Sequence, residues 1–294
     1  MLCHRRDAVL RVDRINAALC RECLPWVNLP PGMSYLPTLE TALRVCDRCG
    51  ERLEDDEERS CRMCSMEPLP LRAARSLFVY RDRAESIVCL LKYGGQSRLA
   101  SVIARAFYFA LVPNDPLSPF SGTEREDPSH SILPHRDWNL IVPMPSAPRI
   151  LRERGFSHMT LVARQLAPAL RRQTEAFALR VGRDRDPQAS LPLPLREKNV
   201  RNSFSANPRL VSGRSILLID DMLTTGASLQ AAAEALLQAG ARTVDGITFA
   251  RSPNFQRYRR AIQLGKGDGR ARKKCSQDGS SLPHGWSFDV ISAQ

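Results

Sequence analysis

The sequence has no apolar run approaching the roughly 18 residues of a membrane span. Its best candidate, Val102 to Val112, is too short and is broken by Arg105. The first residues, MLCHRRDAVLRVDR, alternate charge with apolar groups and offer no hydrophobic core for a secretory signal. A cytoplasmic protein is expected. No internal repeat is present beyond a set of cysteine pairs, and neither a Gly-Lys-Ser/Thr phosphate loop nor a GxGxxG dinucleotide turn occurs. What remains, 294 residues with 43% hydrophobic and 25% charged side chains, is enough to bury a core and suggests one large domain with a small companion.

Positive charge is in excess, at a net +12, and it is uneven. Residues 1–70 carry 10 basic and 12 acidic side chains, whereas residues 140–215 carry 14 basic and 5 acidic. The tail 252–294 carries 8 against 3. A basic middle suits a polyanion, whether a phosphorylated metabolite or nucleic acid; a solvated arginine-rich surface would look the same.

Six of the nine cysteines form CxxC pairs: Cys20/Cys23, Cys46/Cys49 and Cys61/Cys64. Two intervening residues let a tight knuckle aim both thiolates at one ion, so Cys46, Cys49, Cys61 and Cys64 read as a four-thiolate zinc site. Gly50 fits the positive φ such a knuckle often needs. A thioredoxin-like pair would need a flanking strand and helix, and the acidic run between the pairs suggests neither. Cys20 and Cys23 lack a CxxC companion. They make a second zinc site only with Cys3 and a fourth ligand from His4 or water; otherwise this is a decayed ribbon packed around Trp26 and Leu29. Cys89, within SIVCLL, reads as a buried small hydrophobe. Residues 1–70 thus form a cysteine-rich module with too little periodic apolar content to fold without metal.

From Leu71 the texture is that of an α/β domain running to residue 252. Ser76–Tyr80 reads as a strand, Ala84–Tyr93 and Leu99–Leu111 as helices, and the proline-rich stretch 113–137 as an inserted loop. Leu140–Val142 is a short strand entering Pro143-Met144-Pro145, and Met159–Leu170 is helical by spacing. Arg180–Asn207 reads mostly as loop, and 253–294 as a basic tail without order.

The segment ILLIDDMLTTGASLQAAAEALL, Ile216 to Leu237, carries the chemistry. Four branched apolar residues without alternation indicate a strand buried on both faces of a parallel sheet. Asp220 and Asp221 follow at its carboxyl end, where open α/β sheets bind ligands. Thr224, Thr225, Gly226, Ala227 and Ser228 then turn into an alanine-rich helix closed by Gly240. Hydroxyls and helix N-terminal N–H groups make a phosphate nest, and Gly226 allows close approach. Paired carboxylates suit the vicinal hydroxyls of an attached sugar and can help to hold magnesium. The plain alternative is an ordinary βα turn with Asp and Thr as cap residues.

This string resembles the phosphoribosyl pyrophosphate (PRPP) motif of type I phosphoribosyltransferases. With the Cys46–Cys64 ribbon, FVYRDRAESIVCLLKYGG (Phe78–Gly95), IVPMPSAPRILRERGF (Ile141–Phe156) and the Gln188…Arg196…Asn199-Val200…Phe204 string, in that order, the chain resembles the ComF family. These competence-associated proteins join a zinc ribbon to a phosphoribosyltransferase-like domain. The resemblance implies a parallel sheet flanked by helices, with Asp220 and Asp221 on the ribose hydroxyls and Thr224 to Ser228 around the 5-phosphate. The turn Pro143–Ser146 would be the pyrophosphate loop, with Arg149, Arg152 or Arg154 supplying charge and Mg²⁺ accompanying PRPP. Where the family usually has RGFNQ, this chain has Arg154-Gly155-Phe156-Ser157-His158; no residue stands out as a general base, and His158 is a candidate by its place near the expected site or else a surface histidine. Three functions stay open: a PRPP-binding protein of DNA uptake or utilisation, with DNA-uptake proteins as partners; a true phosphoribosyltransferase with an unidentified acceptor; or a single-stranded DNA module that stacks bases on Phe156 and Phe204.

Overall fold

The computed structural model describes residues 10–12, 15–19, 45–51, 53, 59–66, 69–112, 132–182 and 203–253. Cys3, Cys20, Cys23, the bulk of the 113–137 insertion, the Gln188–Val200 part of the ComF-like string and the tail beyond 253 lie outside them, so the expectations for those segments do too.

Among the described residues, the first elements are the antiparallel pair β1 (Leu10–Val12) and β2 (Ile15–Leu19) and a short helix α1 (Arg62–Met66). The domain proper then runs β3 (Ala74–Val79), α2 (Asp82–Lys92), α3 (Leu99–Leu111), β4 (Leu140–Pro143), α4 (Pro148–Arg154) and α5 (His158–Ala169). It continues with β5 (Gln173–Thr174), β6 (Leu179–Val181), β7 (Phe204–Ala206), α6 (Pro208–Val211), β8 (Ser215–Leu223), α7 (Ala227–Gln238) and β9 (Thr243–Arg251).

Five strands form one all-parallel sheet in the order β3-β9-β8-β4-β5. Period-two alternation distributes its side chains between two cores. On β8, Leu217 and Ile219 meet a layer built from α2, α3 and α5, while Ile216 and Leu218 meet α7 and the cysteine knuckle. Helix α3 is apolar nearly all round and accordingly lies buried, with even Arg105 only 4% exposed and its guanidinium 5.1 Å from the Phe109 ring centroid. The expected parallel sheet flanked by helices is therefore what forms.

Two segments carry local structure that the sequence did not show. The segment Arg180–Asn207, expected to be mostly loop, contributes the antiparallel pair β6 and β7, whose three-residue strands are too short to show a period in a polar, proline-rich context. The turn after β4 runs into a helix, α4, started by Pro148 and closed by Gly155 at φ 76°.

Chain order and sheet order together fix where a ligand belongs. From β4 the chain moves outward to β5, whereas from β8 it moves the opposite way to β9. The neighbouring carboxyl ends of β4 and β8 therefore flank a topological switch point, the crevice in which open α/β sheets bind ligands. At the other end of the sheet, fully buried Asp245 accepts hydrogen bonds from Arg72 Nη2 at 2.5 Å, Trp138 Nε1 at 2.7 Å and the Ala73 N–H at 3.1 Å. This network fastens the strand entrances far from the crevice. No helix among the described residues is long and apolar enough to cross a membrane.

Candidate functional site

Strand β8 does not stop before the two acids, as its apolar run suggested, but carries them. Pairing with β9 continues through Asp220↔Thr248 to Leu223↔Arg251. Their side chains consequently alternate. Asp221 is 3% exposed, whereas Asp220 is partly open. The expectation that both line an open crevice is thereby corrected for Asp221.

Burial of an unpaired carboxylate would be prohibitive, and Asp221 is not unpaired. Lys92 Nζ, at the end of α2, lies 2.7 Å from its Oδ1, and His158 Nε2, at the start of α5, lies 2.5 Å from its Oδ2. Desolvation by burial works against the Asp221 charge, but Lys92 and then His158 outweigh it and hold the carboxyl well below the usual carboxylate range. Lys92 is the reciprocal case: burial disfavours its charge, Asp221 more than restores it, and its pKa rises. His158 is only 7% exposed, so the surface reading fails; its Nδ1 is buried without a partner.

Asp220 has the opposite fate. Its Oδ1 accepts the backbone N–H of Asp221 at 2.8 Å. Burial and the adjacent Asp221 charge, only partly offset by Lys92, push its pKa up to about 8. Two sequence-adjacent carboxyls are thus driven in opposite directions.

Gly226, at φ 84°, caps α7 without a side-chain hydrogen bond, leaving first-turn N–H groups of the helix for a ligand. Thr225 Oγ1 accepts the Ala227 N–H at 3.2 Å, so this hydroxyl shapes the loop while keeping its own proton to donate. Thr224 is exposed and Ser228 and Ala227 are half-buried. Across the switch point, the Met144 N–H bonds to the Ile219 carbonyl at 2.9 Å and extends the β4–β8 ladder into the Pro143–Ser146 turn. There the Ser146 hydroxyl oxygen is buried without a partner.

The arginines divide. Arg149 pairs with Glu153 at 3.5 Å, Arg152 is exposed, and Arg154 is half-buried with its guanidinium 5.0 Å from the Tyr93 ring centroid. Of the phenylalanines expected to stack bases, Phe204 is 7% exposed and Phe156 packs against the main core. Among the described residues, the exposed aromatics are instead Tyr93 and Phe177, the latter with Arg180 at 6.0 Å. Lys92 and Tyr93 are the residues that sequence reasoning did not single out. Residues 84, 88 and 92 share a helical face on which Ala84 and Val88 are buried, and 158, 162 and 166 share another with Val162 and Leu166. That spacing was the available signal for Lys92 and His158.

The four cysteines Cys46, Cys49, Cys61 and Cys64 converge as expected. All are buried, and their sulfurs lie within 4.8 Å of one another, Cys49 and Cys61 at 3.6 Å. A tetrahedral zinc with bonds of about 2.3 Å needs sulfurs about 3.8 Å apart, so the donor set fits. Gly50 has φ 68°, and Cys64 is carried by α1. The knuckle is docked on the free edge of β3, where Ala74 N–H meets the Arg48 carbonyl and Arg75 reaches the Asp47 carbonyl at 3.1 Å. Cys89 is half-buried rather than buried, 3.4 Å from the Tyr80 hydroxyl.

Residues 154–262 match the family described as phosphoribosyl transferase domain. The DNA utilization protein YhgH of Shigella flexneri is 25% identical over 234 residues, covering 80% of this chain and 84% of that protein. Competence protein ComFC of Bacillus subtilis (strain 168) is 26% identical over 215 residues, covering 71% and 78%. A solved glutamine PRPP amidotransferase from B. subtilis aligns at 16% identity and a TM-score of 0.35, over 64% of this chain and 42% of that enzyme. The parallel sheet, the acids on β8 and the matched domain define a phosphoribosyltransferase-fold protein. With its cysteine cluster and these relatives, the chain is similar to the ComF family.

Proposed function

We propose that this protein binds PRPP at the switch-point crevice and serves DNA uptake or utilisation, as the names of its relatives suggest. The observation that carries the reading is the convergence of an α7 N-terminus, whose Gly226 cap brings no side-chain hydrogen bond, with a partly open Asp220 at the carboxyl ends of β8 and β4. A phosphate fits the first, and the hydroxyls of the sugar that bears it fit the second. The Pro143–Ser146 turn, with Arg152 or Arg154 near it, would face the pyrophosphate. Magnesium would arrive with that pyrophosphate, which with water supplies most of its ligands. In transfer to an acceptor, positive charge at the ribose C1 and negative charge on the departing pyrophosphate would be stabilised by these groups. The four thiolates would hold zinc as a structural ion. The test is calorimetric titration with PRPP and Mg²⁺, followed by pyrophosphate release across candidate acceptors. Absence of PRPP binding rejects the reading.

A second reading, single-stranded DNA on the same fold, is favoured by the exposed Tyr93 beside Arg154 and the exposed Phe177 beside Arg180. Bases stack on aromatics beside arginines with little sequence preference. Soluble, cytoplasmic operation accords with both readings.

A further inference from the structure

In the crevice, the two acids differ in what is left for a ligand. Both oxygens of Asp221 are engaged, one by Lys92 and one by His158, and the residue is 3% exposed. Asp220 is partly open, and one of its oxygens is fixed by the backbone N–H of Asp221. Position in the strand explains the division, because adjacent residues of β8 must face opposite sides of the sheet. One acid therefore reaches inward to two helices while the other is left at the crevice.

We propose that the two acids act in series rather than as a pair: Lys92 and His158 fix Asp221, Asp221 fixes Asp220, and Asp220 alone meets the sugar hydroxyls. Lys92 and His158 are positioning residues, since neither needs to touch the ligand. They also tie α2 and α5 to the end of β8, so that the crevice floor is set by three elements through one carboxylate. A histidine is not the sole side chain able to do this. Glutamine at position 158, the residue usual in the family, keeps an N–H donor that can reach Asp221, whereas leucine keeps the bulk and loses the donor.

The proposal rests on the crevice being a sugar-phosphate site, and the experiment separates the two ideas. Affinities of PRPP·Mg²⁺, ribose 5-phosphate and 2-deoxyribose 5-phosphate are measured by calorimetry, with melting temperatures, for the parent, Asp220→Asn, Asp221→Asn, His158→Gln and His158→Leu. Asp220→Asn should lose tenfold or more in PRPP affinity and lose the preference for ribose over deoxyribose, with the fold intact. His158→Leu should melt earlier and blunt the same preference, and His158→Gln should restore both toward the parent. A merely structural role for His158 would lower the melting temperature and leave the hydroxyl preference of the folded protein unchanged, which overturns the proposal. So does an Asp220→Asn variant that binds as the parent does. A parent that binds none of the three ligands rejects the sugar-phosphate reading itself, and a failure of Asp221→Asn to fold supports its anchoring role.

Discussion

The backbone N–H of Asp221 donates to Oδ1 of Asp220 at 2.8 Å, so the acid locked between Lys92 and His158 also sets the rotamer of the acid open to the crevice. The opposite environments of these neighbours give them opposite effects on stability.

Replacing Asp221 by asparagine leaves Lys92 half-buried without its counter-charge. Removing one partner of a buried ion pair typically costs about 3–5 kcal/mol, and Lys92 retains some access to water, so the lower part of that range is expected. Chemical denaturation measures it. The pH dependence has a definite sign: a carboxyl whose folded pKa is depressed contributes stability that is present above its unfolded value, about 3.9, and lost as pH falls. The parent should therefore lose stability below about pH 4 more steeply than Asp221→Asn.

Asp220 should behave inversely. Its folded pKa, about 8, exceeds the unfolded value, so ionisation favours the unfolded chain increasingly as pH rises from about 4 to 8. Asp220→Asn should then stabilise the protein at neutral pH, by about 1–2 kcal/mol after allowance for the water that reaches this partly open group. Thermal melts at pH 5 and pH 8 check this: the gain should be larger at pH 8. Loss of ligand binding with a gain in stability is the signature of a site kept at a stability cost.

Much of this arrangement was legible in the sequence. The run Ile216–Ile219 gave away a buried parallel strand, because only a strand covered on both faces tolerates four consecutive branched apolar residues. The Leu99–Leu111 helix and the four-cysteine cluster were equally plain, one from apolar length and the other from ligand spacing. The inward turn of Asp221 was not, because it depends on how far β8 stays in register with β9, and register is a property of two segments together. The same holds for Tyr93 and Arg154, which come from different helices and meet only in the fold. Phe156 and Phe204 could be read either as stacking platforms or as core, because aromatics among arginines look alike in sequence; the fold selects the core.

Zinc content offers an independent check on the ribbon. Purified protein should carry about one zinc held by Cys46, Cys49, Cys61 and Cys64, and Cys46→Ser/Cys61→Ser should lose it. Because these sulfurs pack in the same core as Leu71, Ala74 and Val244, loss of metal should lower the melting temperature of the domain and not only of the ribbon. A double variant that keeps full zinc occupancy would contradict the assignment.

Asp245 separates scaffold from site. Asp245→Ala should leave the Trp138 N–H without its acceptor while Arg72 keeps Asp137, and cost about 1–3 kcal/mol by denaturation, the range for a buried donor left unsatisfied. Calorimetry on the folded fraction at low temperature should find PRPP affinity unchanged, since the network lies at the opposite ends of the strands from Asp220.

The basic surface poses the remaining question of metabolite or nucleic acid. Residues 140–215 hold nine more basic than acidic side chains, more charge than one phosphorylated sugar needs. Fluorescence anisotropy with a labelled oligonucleotide should show weak, sequence-independent binding that falls tenfold or more between about 50 and 200 mM salt, as phosphate neutralisation releases counterions. Stacking should add to this at Tyr93, which is 59% exposed beside Arg154, and Tyr93→Ala should cost about 1–3 kcal/mol per stacked base. Phe204→Leu, in the core, should leave DNA affinity alone. Excess PRPP should compete, since Tyr93 directly follows Lys92 and Arg154 ends the helix four residues before His158. No binding at the low-salt end, or binding indifferent to Tyr93→Ala and to PRPP, leaves the arginines as a solvated face and the crevice as a small-molecule site.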